Sequence, residues 1–212
     1  LVHSINAIVA SKISLDKFGV TNWAELQAYI AEHPFEVSVA MLTATGVDGA
    51  ALAQATEGLD LLEIPYSSGS DANSALVGGH CDLYVCGWDD ISGLIESGDI
   101  VPILALCENR MSIAPDLQCS VENGIDSVMG PWRGIFAKKG TPQEAIDTLV
   151  AAIEEAKQSD TWKEFTHNAA YDERPIPAPG EETVEFCHNE YKDLHDYMVE
   201  QGTLVKDYDD LK

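Results

Sequence analysis

The hydrophobic and polar positions of the chain alternate between short apolar runs and longer segments with helical spacing. Apolar runs predict β-strands at 37–42, 61–65, 82–86 and 101–107. A small polar loop and a helical segment that ends at a glycine follow each of the first three strands. Connections this short require right-handed crossovers between parallel strands. The pattern therefore predicts an α/β fold with a mainly parallel sheet.

Capping residues mark the helices outside this alternation. Asn22 and Glu25 form a capping box that starts a helix, and Pro34 ends it. Thr141 and Pro142 mark another strong helix start, after an apolar strand at 132–137. That helix is expected to bury an apolar face formed by Ile146, Leu149, Val150 and Ile153. A long amphipathic helix is expected at 181–200.

Two loops have the composition of a small-molecule site. Residues 43–48 and 66–70 are rich in small and hydroxyl side chains, and each leads into a helix. Ligands of open α/β sheets bind beyond the carboxyl ends of the strands, where helix N-termini offer unpaired N–H groups. Such termini hold anions without Lys or Arg. Ordinary helix caps use the same residue types, and Asp48 is a suitable cap for its helix. The spacing alone therefore leaves open whether these loops bind a ligand or only cap helices.

Catalytic and metal signatures are weak. The sequence contains no nucleophile-elbow, Walker A, dinucleotide or zincin motif. His188 and His195 share a helix face and suit either a metal or solvent. Asp89 and Asp90 suit either a carboxylate pair or helix caps. No catalytic residue, metal or cofactor is therefore predicted.

Charge excludes several classes of partner. Twelve Lys and Arg against 36 Asp and Glu give a formal charge of −24. A nucleic-acid surface needs a basic stripe, and an anionic membrane face repels such a chain. No apolar run approaches the ~20 residues of a membrane span. The five cysteines form no CxxC pair, which favours buried free thiols over one disulfide of unknown pairing.

Three stretches of the sequence resemble one protein family. The first comprises Pro65-Tyr66, Gly69, Gly78-Gly79 and Asp82, which resemble "PYKG…GG.VD". The second comprises Leu104-Ala105-Leu106, Arg110, Pro115-Asp116, Glu122 and Gly124, which resemble "LAV…R…PDVPT..E.G". The third runs from Trp132-Arg133-Gly134-Ile135-Phe136-Ala137 to Gly140-Thr141-Pro142 and resembles "W.GLFAPAGTP". In order and spacing they resemble the solute receptors of tripartite tricarboxylate transporters, the Bug family.

The resemblance implies a two-lobed fold of the type II periplasmic binding-protein kind, with mainly parallel sheets flanked by helices. Residues 37–130 would form the second, ligand-binding lobe. Residues 1–36 and 131–212 would form the remainder of the first lobe with C-terminal helices. The first lobe would be incomplete, because roughly the N-terminal third of the family's length would be missing.

The resemblance also implies a function and a site. The protein would be a periplasmic or extracytoplasmic receptor that captures a small organic acid and presents it to membrane transporter subunits. The implied ligand-binding residues are Thr43, Ala44, Thr45, Gly46, Tyr66, Ser67, Ser68, Gly69, Asp82 and Trp88. A lyase-like enzyme acting on small acids and a ligand-sensing effector domain are the alternatives. The enzyme would be marked by a perturbed pKa at Asp48 or Asp82.

Two departures from the family pattern bear on the ligand. Asp48 stands where the family's glycine-rich turn ends in Ser, and Ser67 replaces its common Lys. An added carboxylate and a lost ammonium both weaken anion binding. The sequence therefore favours a ligand of lower negative charge, or one that is not a carboxylate.

Overall fold

The computed structural model describes residues 1–43, 46–175 and 177–203. The strands in these ranges are β1 Val2–His3, β2 Asn6–Ser11, β3 Ser38–Met41, β4 Leu62–Pro65, β5 Leu83–Gly87, β6 Ile100–Leu106 and β7 Trp132–Arg133. The α-helices are α1 Lys12–Phe18, α2 Trp23–Glu32, α3 Val47–Ala55, α4 Gly69–Val77, α5 Ser92–Ser97, α6 Gln143–Ala156, α7 Asp160–Asn168 and α8 Glu181–Glu200.

Five strands form the central sheet, in the order β4-β3-β5-β2-β6. β3 runs parallel to both β4 and β5, which confirms the strand–helix alternation predicted from the sequence. β2, for which the sequence pattern gave no prediction, lies between β5 and β6 and is antiparallel to both. All of its residues are buried because both of its edges are paired and helices cover both faces of the sheet. The sheet is therefore mixed, with one antiparallel strand in its interior.

The N-terminal segment shares the core of the central sheet. Trp23, Leu26 and Ile30 on α2 are fully buried against it, together with Leu15 on α1. Residues 1–36, assigned above to the first lobe, thus contribute one strand and two helices to the same layers as residues 37–130. No separate core forms around them in the part of the chain that the structure describes.

The helices cover the sheet on both faces. α1, α2 and α3 pack on one face, and α4 and α5 pack on the other. The crossover after β3 therefore runs on the opposite face from the crossover after β4. The edge strand β6 carries Pro102, whose missing N–H is tolerated at an edge.

The C-terminal elements are less buried than the sequence predicts. α6 begins after Pro142, one residue later than expected, and Leu149 is 56% exposed. The expected burial of its apolar face is therefore wrong for this structure. The strand predicted at 132–137 shortens to β7, which pairs only with β1, and Ile135 is 80% exposed. The aromatic residues of β1 and β7 contact Phe186 of α8.

All five cysteines are free, as expected, and four of them are buried. Burial is the main reason that the pKa of the Cys81 thiol rises to about 11 and that of Cys107 to about 12. These thiols therefore act as small apolar groups of the core.

Candidate functional site

The topology locates a switch point at the carboxyl ends of β3 and β5. The chain leaves β3 toward β4 on one side and returns past it to β5 along the other face. Open α/β sheets bind ligands in the crevice at such a point. The loop after β3, the turn after β5 and the first residue of β2 all lie at this edge, because β2 runs in the opposite direction.

The first predicted loop leads into α3. Gly46 is the N-cap of that helix, and a Cβ atom on it would lie 2.7 Å from Cγ2 of Thr43. Asp48, predicted as the cap, instead lies in the first turn, where its Oδ1 accepts a hydrogen bond of 3.1 Å from Nδ2 of Asn6. The prediction of the cap was wrong because the helix starts earlier than expected. The predicted site residues Ala44 and Thr45 lie outside the described residues.

The second predicted loop is bound to its own helix. The Ser68 hydroxyl accepts from the main-chain N–H of Asp71 (3.2 Å) and donates to its carboxylate (2.8 Å). The Ser67 hydroxyl donates to the same carboxylate oxygen at 3.0 Å. Ser68 therefore caps α4, and the Asp71 carboxylate engages both hydroxyls in this structure. A ligand at this loop would have to use main-chain N–H groups or displace the Asp71 carboxylate.

The two loops nevertheless open on the same edge of the sheet. The main-chain N–H of Tyr66 donates to the carbonyl of Met41 at 2.8 Å, which joins the start of the second loop to the end of β3. A Cβ atom on Gly69 would lie 3.5 Å from the Tyr84 hydroxyl. Burial raises the pKa of Tyr84, and the nearby thiol of Cys86 and carboxylate of Asp48 raise it further. Tyr84 therefore lies beside the second loop, on the face of the sheet that α4 covers.

The side chain of Tyr66 does not point into a pocket at this edge. It is partly buried and packs against the hydrophobic core on that face of the sheet, and burial raises the pKa of its hydroxyl. The ring thus packs against the sheet.

Asp82 lies at the opposite edge of the sheet from both loops. It precedes β5, and its Oδ2 accepts from the main-chain N–H (2.8 Å) and hydroxyl (2.6 Å) of Ser38 at the start of β3. Its other oxygen accepts from the Ser14 hydroxyl at 2.6 Å. The structure thus separates this predicted site residue from the others by the length of a strand, ~3.3 Å per residue. Asp82 fixes the N-terminal ends of two strands.

Trp88 lies at the correct edge but is 4% exposed. It packs in the core with Ile5 and Ile91, and its indole N–H has no partner among the described residues. The next two residues, Asp89 and Asp90, continue a short 3-10 turn instead of capping an α-helix.

Carboxylates dominate the switch point. Asp89 accepts from the Ser4 hydroxyl and pairs with the Arg133 guanidinium at 2.9 Å, while Asp90 pairs with the same guanidinium at 3.5 Å. Burial raises the pKa of Asp48, the Asn6 amide opposes this, and Asp90 raises it again. Burial likewise raises the pKa of Asp90. Two carboxylates therefore share one guanidinium at this edge, and Asp48 adds a third negative group nearby.

Asn6 is the residue that the sequence reasoning missed. Its side chain is completely buried, and while Nδ2 donates to Asp48, Oδ1 has no partner among the described residues. Leaving a buried acceptor unpaired costs about 1–3 kcal/mol. No pattern marked Asn6 as functional, because the strand that carries it was not predicted.

Arg174 joins β1 to the end of β6 and to the segment that leads into β7. Its guanidinium donates to the carbonyl oxygens of Val128 (2.6 Å) and Leu106 (3.1 Å) and to Nε2 of His3 (2.7 Å). Because Arg can only donate, Nε2 of His3 must accept, although it also lies 3.1 Å from the carbonyl of Gly130. The imidazole is therefore neutral. Burial, followed by the charge of Arg174, lowers its pKa to about 4.

We expect acid to destabilise the protein through His3. The unfolded chain takes up a proton near pH 6.5, whereas the folded chain takes it up near pH 4. Stability is thus lost as the pH falls through this window, by about 3 kcal/mol for this residue. Urea unfolding of wild type and His3→Gln between pH 7 and 4 should show this difference. The exposed His188→Gln should follow wild type, and a His3→Gln curve parallel to wild type would contradict the assignment.

No metal site emerges from the part of the chain that the structure describes. No group of three or more His, Cys, Asp or Glu side chains is arranged to hold an ion there. Of the predicted histidine pair, His188 is exposed and His195 contacts Asp196 at 3.1 Å. Among the described helices, none has the length and apolar character needed to cross a membrane.

Known proteins share both the sequence and the fold. A UPF0065 protein of Bordetella pertussis (strain Tohama I) is 26% identical over 170 residues, which cover 79% of this chain and 53% of that protein. The chain thus spans about half the length of this curated relative. MatC of Rhodopseudomonas palustris, solved with bound malate, has a TM-score of 0.76 at 21% identity, covering 93% of this chain and 67% of its own. R. palustris Rpa4515 with adipate has a TM-score of 0.79 at 20% identity, covering 95% and 67%.

The periplasmic binding protein BugD is 26% identical, with a TM-score of 0.68, covering 80% of this chain and 56% of its own. These similarities confirm the predicted periplasmic binding-protein fold. The model of the TctC family, described as tripartite tricarboxylate transporter family receptor, matches residues 2–198. The chain belongs to the TctC family of tripartite tricarboxylate transporter receptors.

Proposed function

We propose that the protein is an extracytoplasmic solute receptor that captures a small organic acid and delivers it to a membrane transporter of the tripartite tricarboxylate type. The observation that carries this proposal is the meeting of two loop–helix junctions at the carboxyl edge of parallel strands β3 and β4. Helix N-termini there attract a carboxylate through main-chain N–H groups and a partial positive charge.

Relatives support the nature of the ligand and the compartment. Family members of the same fold were solved with malate and with adipate, and other members are described as periplasmic. A receptor of this fold acts outside the cytoplasm. Membrane subunits of a transporter are the partner that the family description implies.

The proposed binding residues form two groups. Thr43, Gly46 and Gly69 supply main-chain groups and space at the edge, and Ala44 and Thr45 complete the first loop. Ser67 and Ser68 take part if the ligand displaces the Asp71 carboxylate. The ligand-binding lobe comprises residues 37–130, and we extend it to β2 because Asn6 shares their sheet. Closure over the ligand requires higher affinity for the closed form.

An enzyme is the weaker interpretation of the same edge. The raised pKa of Asp48 is the signature expected for a catalytic acid, but burial and the neighbouring Asp90 account for it. The family is one of solute receptors, and among the described residues Asp48 bonds the Asn6 amide and is not joined to a nucleophile–base pair. Binding without turnover is therefore the proposed activity.

Calorimetry on the intact protein tests the proposal. Acetate, succinate, malate, adipate and citrate should be titrated in turn, with glycerol as a neutral control. We expect saturable binding of at least one acid with one site per chain, and no chemical change of that acid by NMR. Absence of binding across the panel, or turnover of the bound acid, would overturn the proposal.

A further inference from the structure

The switch point between β3 and β5 contains one buried acceptor for which the described residues supply no donor. Oδ1 of Asn6 is buried and unpartnered, on a side chain with no exposed surface. Its amide is directed at Asp48, because Nδ2 donates to Oδ1 of that carboxylate. An unpaired amide oxygen and a carboxylate therefore lie side by side at the carboxyl edge of β3 and β5.

The nearby charges disfavour the binding of a further negative group at this edge. Arg133 already pairs with Asp89 at 2.9 Å and with Asp90 at 3.5 Å. Its other terminal nitrogen donates to the Tyr171 hydroxyl at 3.3 Å. The Asp48 carboxylate is bonded by the Asn6 amide, and the Arg133 guanidinium attracts it from a greater distance.

A ligand that completes this arrangement needs a donor with positive charge beside its carboxylate. An ammonium group has three N–H donors, which suit both the Asp48 carboxylate and the Asn6 amide oxygen. A hydroxyl group has only one donor and brings no charge. A dicarboxylate without such a group would place like charges together.

We propose that the ligand is an amino acid, whose ammonium group is held by Asp48 and Asn6 while its carboxylate lies at the helix N-termini. The inference rests on the proposed receptor function and specifies its substrate class. Asp48 is then a specificity-determining residue.

Matched ligand pairs test the inference on the intact wild-type protein. Calorimetry should compare aspartate with succinate, glutamate with glutarate and alanine with propionate, because each pair differs only in the amino group. We expect the amino acid that binds best to bind at least about tenfold more tightly than its partner, as for one charge-assisted hydrogen bond. Equal affinities within the pairs would overturn this inference while leaving the receptor function intact. No binding of any of the six would overturn this inference, whereas the receptor function is tested by the separate acid panel above.

The variant Asp48→Asn tests whether Asp48 causes the preference for the amino group. Asp48→Asn keeps the size of the side chain and should remove the preference for the amino group, leaving affinity for the deaminated partner unchanged or raised. Glu96→Gln on exposed α5 makes the same change in charge away from the edge and should keep the preference. Retention of the full preference by Asp48→Asn would contradict the role of Asp48. Because the wild-type comparison needs no variant, a folding defect of Asp48→Asn leaves the inference testable.

Discussion

Replacing Gly130 by Ala is expected to lower the free energy of unfolding by about 3 kcal/mol. A Cβ atom at this position would lie 2.1 Å from the carbonyl oxygen of Ser4, which is main chain and cannot rotate away. The segments around Ser4 and Gly130 are held together at this point, because the N–H of Ser4 donates to the carbonyl of Pro131 at 2.8 Å. For a chain of this size, the melting temperature should fall by roughly 6–12 °C.

Gly93→Ala is the matched control for this substitution. Gly93 lies within α5, and a Cβ atom there would meet no atom within 4 Å. Alanine has the higher helix propensity, so this variant should be neutral or more stable by up to about 1 kcal/mol. Thermal unfolding of the two variants side by side checks the expectation. Equal melting temperatures for Gly130→Ala and wild type would show that Gly130 is not packed against Ser4 as described.

Replacing Ser68 by Leu is expected to lower the affinity for the bound acid at least about a hundredfold without unfolding the protein. Its side chain would project at the mouth of α4, where the proposed carboxylate lies. Loss of the cap costs only about 1 kcal/mol of stability. Calorimetry with the acid that binds best measures the affinity, and circular dichroism measures the fold.

Ser159→Leu separates the two effects. Ser159 caps α7 in the same manner, by accepting from the main-chain N–H of Trp162 at 3.2 Å. It should therefore lose a similar stability and keep full affinity. Unchanged affinity in Ser68→Leu would remove the second loop from the site, whereas a loss in both variants would attribute the effect to stability.

The sequence predicts the strands of the sheet that alternate with helices, because each combines an apolar run with a capped helix. It does not predict β2, whose residues 6–11 are buried on both faces and so show no alternation. Its position in the interior of the sheet depends on pairing with β5 and β6, which are about 75 to 100 positions away along the chain. Asn6 was missed for the same reason.

The sequence predicts which loops form the candidate site but not which side chains contact one another there. Gly46 and Gly69 do reach one edge, because consecutive parallel strands end there. Asp82 does not, because it precedes the strand that Trp88 follows. Residues at the two ends of an extended strand are close in sequence but far apart in space. The hydroxyls of Ser67 and Ser68 have local partners that a composition argument cannot show, since the Asp71 carboxylate satisfies them from within α4.

The apolar face of α6 is exposed because the described residues do not cover it. Leu149 and Ile153 have helical spacing, as the sequence shows, but the spacing does not say what lies opposite. The second sheet, β1 and β7, makes aromatic contacts with Phe186 of α8. Amphipathicity thus predicted the helix correctly and its burial wrongly.

A crystal structure of the intact protein with its tightest-binding small acid tests the central claim most directly. The account predicts that a ligand carboxylate lies within about 3.2 Å of main-chain N–H groups at the start of α3 or α4, on the edge shared by Gly46 and Gly69. Density elsewhere would contradict it, for example in the cleft of about 390 Å³ that Leu52, Asp60 and Tyr197 help to line.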